Sequence, residues 1–300
     1  ERSGVVNIAL EGIMLVGALT SCLFLSLMEK AGLHGMHPQL LAFLAILIAA
    51  VTGMLFSMLL AFAAIKLKAD QTIGGTALNM LAPAVAIVVT WAIQGQGQTT
   101  ILIPGWVRIT QESLGMATSQ DFFSRLIFKS LYLTTPIAIL ILVASVIILY
   151  KTKTGLRLRA CGEHPQAADS VGINVYHMRY LGVAISGFLG GIGGLAYSLA
   201  AGSGYQSTVA GYGFLALAVM IFGNWKPLNI LGASLFFALF KIVGSYAGSI
   251  PFLPKFTNVK SSEYIYLMLP YIVTMILLIL TSKRSRAPKA EGIPYDKGGR

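Results

Sequence analysis

The feature that most constrains this chain is a series of apolar runs, nearly free of charge, each about as long as a bilayer is thick. They fall at residues 5–27, 42–65, 71–94, 131–150, 180–200, 208–223, 228–248 and 264–281. A helix rising 1.5 Å per residue needs about 20 residues to cross ~30 Å of hydrocarbon. Lipid offers the backbone no hydrogen-bond partners, so each run must satisfy its own N–H and C=O groups, which a helix does and an open sheet edge cannot. No window alternates with the two-residue period of a strand. Asp, Glu, Lys and Arg make up only 11% of the chain, and its mean hydropathy is +0.75, whereas soluble domains carry about 25% charged residues. A soluble enzyme, a disordered chain and a fibre are thereby excluded. The predicted fold is all-α, a polytopic transmembrane helix bundle with about eight spans. The run at 208–223 is short and holds Gly211 and Gly213, which makes it the weakest span.

The net charge of +11 would suggest nucleic acid as a partner for a soluble protein. Here the bases cluster at the ends of apolar runs, where they set topology instead. The densest cluster, Lys151, Lys153, Arg157 and Arg159, marks a cytoplasmic loop. Alternation places Arg2, Lys66, Lys68, Arg179, Lys226 and the bases of the 283–300 tail on the same side. Lys30, Arg108, Arg125, Lys129, Lys255 and Lys260 lie outside. The expected organisation is a transmembrane domain over 1–282 and a basic cytoplasmic tail over 283–300. A cytoplasmic loop occupies 151–179 and an outer loop 95–130. The outer loop, broken by Gly95, Gly97 and Pro104, reads equally as a lid or as a passive connector. Cys22 and Cys161 make no disulfide framework, and no signal peptide is read ahead of the first run.

Few residues suggest covalent chemistry. There is no phosphate cradle of the P-loop type. His164 and His177 lack acidic or thiol partners at ligand spacing, and His34 and His37 read as solvated loop residues, so no metal site is expected. The glycines around 191–194 lie within an apolar helix rather than at a strand-to-helix turn, which rejects a dinucleotide fingerprint. Gly182, Ser186, Gly190, Gly194, Ser198 and Gly202 instead recur every four residues, with Gly187 and Gly191 in an adjacent row. Small residues at that spacing let another helix backbone approach, so a packing surface is predicted. Between Pro165, suited to a first helical position, and Gly172, suited to a stop, Gln166, Ala167, Ala168, Asp169 and Ser170 predict a two-turn cytoplasmic helix. So short a helix is held only by docking. Asn7 and Glu11 share a helix face near the cytoplasmic end, and an intramembrane carboxylate must face protein or water. Asn79, Trp91, Tyr197, Tyr205 and Phe214 offer hydrogen bonds and stacking faces along a path, although each also fits ordinary packing. Lys241 is expected to snorkel outward.

The stretch from Gly155 to Ile173 resembles the ATPase-docking loop of permease subunits from branched-chain-type ABC importers, a group that includes ribose-type sugar permeases. Glu1 to Ala18 resembles that group's early helix. The stretches Lys68 to Ala82 and Gly211 to Pro227 are similar to its nucleoside-importing branch, which works with a basic membrane lipoprotein; Asn229 departs from the small residue expected there. The resemblance implies a further helix ahead of Glu1. It also implies a transport subunit rather than an enzyme, lying in the bacterial plasma membrane with its C-terminus cytoplasmic. Arg159, Gly162, Glu163, Pro165, Ala167, Ala168 and Gly172 would couple to a separate ATPase subunit that holds the ATP and magnesium, with no cofactor on this chain. A second, different permease subunit, an extracytoplasmic binding lipoprotein and a nucleoside substrate complete the implied system. Ribose-like sugars or branched-chain amino acids are the alternatives within the class, and an ion-coupled secondary transporter is the alternative outside it.

Overall fold

The computed structural model describes residues 1–35, 37–110, 131–202, 204–246 and 287–297, together with the isolated helical positions Met268, Ile272, Met275 and Ile276. Its helices are α1 (Leu10–Lys30), α2 (Pro38–Ala61, continued by a π-helical turn Phe62–Lys66), α3 (Gln71–Gln94), α4 (Thr134–Lys151), α5 (Lys153–Glu163), α6 (Pro165–Ser170), α7 (Val175–Ala201), α8 (Tyr212–Phe222) and α9 (Pro227–Tyr246). α1, α2 with its continuation, α3, α4 and α7 are long and apolar enough to cross a membrane, while α8 and α9 are shorter apolar helices. The expected span at 264–281 and most of the outer loop, residues 111–130, lie outside the described residues. The chain divides into two compact units, residues 1–214 with 288–300, and residues 215–287.

The first unit is organised by α1, α2 and α7, and small residues decide how. The two rows read from the sequence lie mainly against two different helices, with Gly191 meeting both. Gly190 and Gly194 lie against Ile13 and the Met14 backbone of α1, and Gly182 meets Ser3 just ahead of it. Gly187 and Gly191 lie against Gly53, Ser57 and Ala49 of α2. A Cβ on Gly17 would fall 2.5 Å from the Gly191 Cα, and one on Gly53 would fall 2.5 Å from the Gly187 carbonyl oxygen. These are backbone-to-backbone contacts that any side chain would prevent. Ile13, Ala18, Cys22, Ala45, Ala49 and Ala50 are fully buried around them.

Helix ends account for several departures from the apolar runs. The first run was read from residue 5, but helix α1 starts only at Leu10. Residues 5–9 are instead a non-helical lead-in, held by the Val6 N–H donating to the Gln71 side chain at 2.7 Å. No side chain of its own caps α1. Asn79 of α3 does this from outside, accepting from the Gly12 N–H and donating to the Ile8 carbonyl, both at 2.8 Å. Two backbone groups left orphaned at a helix start are thus satisfied by a neighbouring helix. Asp70 caps α3 through the Thr72 and Ile73 N–H groups, which hold its carboxyl below the usual range. Gly202, at φ 69°, ends α7 in the left-handed conformation.

The 208–223 run is not one continuous helix. The chain leaves α7, pairs Tyr205 with Ile101 in an isolated bridge, and turns through left-handed Ser207, Ala210 and Gly211 before α8 begins. At the same end, β1 (Arg108–Ile109) pairs antiparallel with β2 (Leu131–Tyr132). In the second unit, Val219, Ala233 and Phe237 form a small core between α8 and α9. Lys241 lies half-buried in the last turns of α9.

Candidate functional site

Two groups of residues stand out in the first unit: a cluster of short helices at its basic end, and a set of polar contacts around Glu11. The first is built from local signals. Thr152 caps α5 by accepting the Gly155 N–H at 3.1 Å, so the polar stretch 153–163, not read as a helix from sequence, becomes one. His164 then caps α6, its Nδ1 accepting from the Ala167 N–H at 3.2 Å, with Pro165 at the first helical position. Gly172, at φ 83°, closes the other end. Its N–H donates to the Asp169 carbonyl at 2.9 Å, and that of Ile173 to the Ala168 carbonyl at 3.0 Å. This pair of bonds is the glycine-terminated helix stop that the sequence predicts.

The residues expected to couple to an ATPase fall on two sides. Glu163, Ala167 and Gly172 are exposed, as are Gln166, Ser170 and Val171. Arg159 is half-buried, with its guanidinium 5.1 Å from the centre of the Tyr150 ring. Gly162, Pro165 and Ala168 are buried. A Cβ on Gly162 would strike the Arg2 carbonyl oxygen, so this glycine serves packing against the N-terminal lead-in. Beneath α6 lies a core of Cys161, Ala168, Val175, Met178 and Tyr295. Burial pushes the Cys161 thiol up, and the neighbouring Arg179 partly opposes it.

Tyr295 reveals what the sequence reading missed. The end of the chain was read as a basic tail, but residues 287–297 are packed onto this cluster. The Ala290 N–H donates to the Gly162 carbonyl at 2.8 Å and the Gly292 N–H to the Gly4 carbonyl at 3.2 Å. Arg179, only 1% exposed, donates from Nη1 to the Ile293 carbonyl at 2.9 Å. Lys68 pairs with Asp296 at 3.0 Å and Lys297 with Asp169 at 3.9 Å, exposed pairs that contribute little by themselves. Pro288, Ala290 and Tyr295, apolar and every few residues, were the available signal. The bases around them masked it.

The second group joins α1 to the start of α8. Each oxygen of the Glu11 carboxylate accepts one backbone N–H, from Gly211 at 2.8 Å and from Gly213 at 2.7 Å. An anion thus sits at a helix N-terminus, where orphan N–H groups and the helix dipole both favour it. Asn7 donates to Ser186 of α7 at 2.7 Å. The rings of Tyr197 and Tyr212 lie 4.7 Å apart, within electrostatic reach of Glu11 in the case of Tyr197. Asn79 is committed to the start of α1. Trp91 and Phe214 are 42% and 50% exposed, and Tyr205 is buried in the bridge to Ile101. At the opposite end from α6, Arg108, Tyr132, Thr134, Thr135, Ala196 and Leu199 line most of an open cavity of about 480 Å³.

The first unit thus combines membrane-length apolar helices with a short, partly exposed helix at its basic end. A family model, branched-chain amino acid transport system permease component, matches residues 1–281. The chain belongs to this family of ABC-transporter permeases. It is 42% identical over 301 residues to the guanosine ABC transporter permease protein NupQ of Bacillus subtilis, covering 100% of this chain and 90% of that protein. It is 39% identical to the nucleoside ABC transporter permease protein NupC of Lactococcus lactis, over 99% of this chain and 90% of that one. A second nucleoside permease of the same organism, NupB, is 27% identical over 99% of this chain and 79% of its own length. No solved structure matches.

Proposed function

We propose that this chain is one of two different permease subunits of an importer that carries nucleosides, purine nucleosides foremost, across the bacterial plasma membrane. The observation that carries the substrate is its full-length similarity to two permeases named for guanosine and nucleosides. One organism having two such permeases, similar to this chain in unequal degree, favours an unlike pair. The basic end, with α6 and residues 287–297, faces the cytoplasm, since it gathers Arg2, Lys66, Lys68, Lys151, Lys153 and Arg157. The C-terminus is then cytoplasmic.

The exposed side of α6, with Glu163, Gln166, Ala167 and Ser170, docks in a groove of a separate ATPase subunit. ATP and magnesium belong to that subunit, and a binding lipoprotein delivers nucleoside from the other side. Closure of the ATPases pushes α6, and the push reaches α7 through the core it rests on. The bundle then shifts between inward- and outward-open states. Glu11, Tyr197 and Tyr212, where α1, α7 and the broken entry to α8 meet, are the lining nearest a passing solute. The tight contacts of α1, α2 and α7 suit a unit that moves as one body.

The test is ATP-dependent uptake of labelled adenosine, guanosine, uridine and ribose in vesicles holding this permease with its partner subunits and binding protein. Glu163→Lys is run alongside. Nucleoside uptake lost in that variant, with the permease still present in the membrane, supports both substrate and docking helix. Uptake of ribose alone moves the substrate to sugars. Uptake that ignores ATP and follows the proton gradient sinks the ABC reading.

A further inference from the structure

The chain's last described segment, Ala287 to Lys297, touches more of the basic end than any docking helix needs. Its backbone bonds Gly162 at the end of α5 and Gly4 ahead of α1. Arg179 of α7 holds its Ile293 carbonyl. Asp296 reaches Lys68 in the turn between α2 and α3. Tyr295 is buried, with its ring 5.3 Å from that of Tyr176 in α7. The Asp169 carboxylate of α6 lies within electrostatic reach of its phenol, and burial first, then that carboxylate, holds the phenol up at about 12. The phenol therefore stays neutral at physiological pH, and its buried ring is what packs the segment down.

Six-residue α6 rests on α5, α7 and this segment. A helix so short has no stability of its own, and a load on its outer face travels only through what supports its inner face. The segment widens that support to the entry of α1 and the turn before α3. Arg179 is its post. The guanidinium is buried, and among the described residues its Nε and Nη2 have no hydrogen-bond partner, while Nη1 donates to the Ile293 carbonyl. The segment also lies beyond the family-wide match, which stops at residue 281, while the match to NupQ runs over all of this chain.

We propose that Ala287–Lys297 is a transmission strap: it ties α5 and α6 to α1, α7 and the α2–α3 turn, so that ATPase movement is delivered to the whole bundle. Tyr295 and Arg179 are its positioning residues. This rests on the reading of α6 as the ATPase-docking helix.

The experiment uses the complete complex of both permeases, ATPase and binding protein in proteoliposomes, and measures guanosine imported per ATP hydrolysed. ATPase retention is measured by co-purification. In Tyr295→Ala and in Arg179→Lys, the ATPase stays bound and import per ATP falls about fivefold, while Tyr295→Phe, which keeps the buried ring, stays close to wild type. Should Tyr295→Ala fail to accumulate, Arg179→Lys decides by the same ratio. An unchanged ratio with the ATPase retained overturns the proposal and makes the segment a passive cover. Loss of the ATPase from the complex also overturns it, since the segment would then belong to the docking surface. Glu163→Lys in the same assay separates the two readings. If that variant keeps its ATPase and its uptake, the docking reading fails, whatever the strap variants do.

Discussion

Helices α4 and α7 are both long and apolar enough to cross a membrane, yet they are used in opposite ways. The window of α4 has a mean hydropathy of 2.0 and that of α7 only 1.5, but the less hydrophobic helix is the buried one. Within α4, Thr134 alone is buried, whereas α7 buries twelve positions, among them Gly187, Gly190, Gly191 and Gly194. In lipid, apolar surface gains nothing by leaving one hydrocarbon for another. Close packing and hydrogen bonds decide which helices meet. Side-chain size therefore sorts these helices into centre and rim, and hydropathy does not.

The contrast can be broken most sharply at Gly191, whose added Cβ would strike the Ala49 carbonyl oxygen. Gly191→Val should cost more than ~3 kcal/mol and abolish accumulation in the membrane. Leu140→Val on α4, where Leu140 is 67% exposed, should stay within ~0.5 kcal/mol by thermal unfolding in detergent. Equal losses at both sites would end the size argument.

Glu11→Gln comes next. It leaves one amide oxygen to accept where two carboxylate oxygens did, sets an NH2 donor against the other N–H, and should cost about 2 kcal/mol. Thermal stability and nucleoside uptake should fall together, and a variant with unchanged stability would mean that Glu11 does not hold α8. Asn79→Leu strands the Gly12 N–H and the Ile8 carbonyl between α1 and α3, a loss of ~1–3 kcal/mol. It tests whether a rim helix contributes through hydrogen bonds what α7 contributes through packing, again by thermal unfolding.

The smallest effect is expected at Asp70. Its folded pKa is depressed by the N–H groups it caps, so its contribution is complete above the ordinary carboxylate range and is lost as pH falls through the lowered value. Asp70→Asn should leave stability at neutral pH nearly unchanged and flatten its decline toward acid. An identical acid limb in both proteins would remove Asp70 from the account.

Legibility followed range. The ends of α6 were readable because Pro165 restricts its own φ and Gly172 supplies its own left-handed turn. Both residues act on the backbone they belong to. The spacing of Gly182, Ser186, Gly190 and Gly194 was readable as a packing face, though not that Gly187 and Gly191 turn to a second helix. The lead-in at residues 5–9 was not legible, because Val5 to Ala9 reads as helix until Gln71 and Asn79, far along the chain, claim its backbone. The Glu11 carboxylate was legible as an anomaly in an apolar run. Its partners, two N–H groups about two hundred residues away, were not.

Membrane residence, helical class and the position of the short helix α6 were determined by sequence alone, because each depends on run length or on residues acting upon their own backbone. Which helices form the centre, what Glu11 caps and where residues 287–297 lie were decided only by tertiary structure. Those outcomes depend on which orphaned backbone groups, buried charges and small-residue faces find one another in space, and no local pattern carries that information.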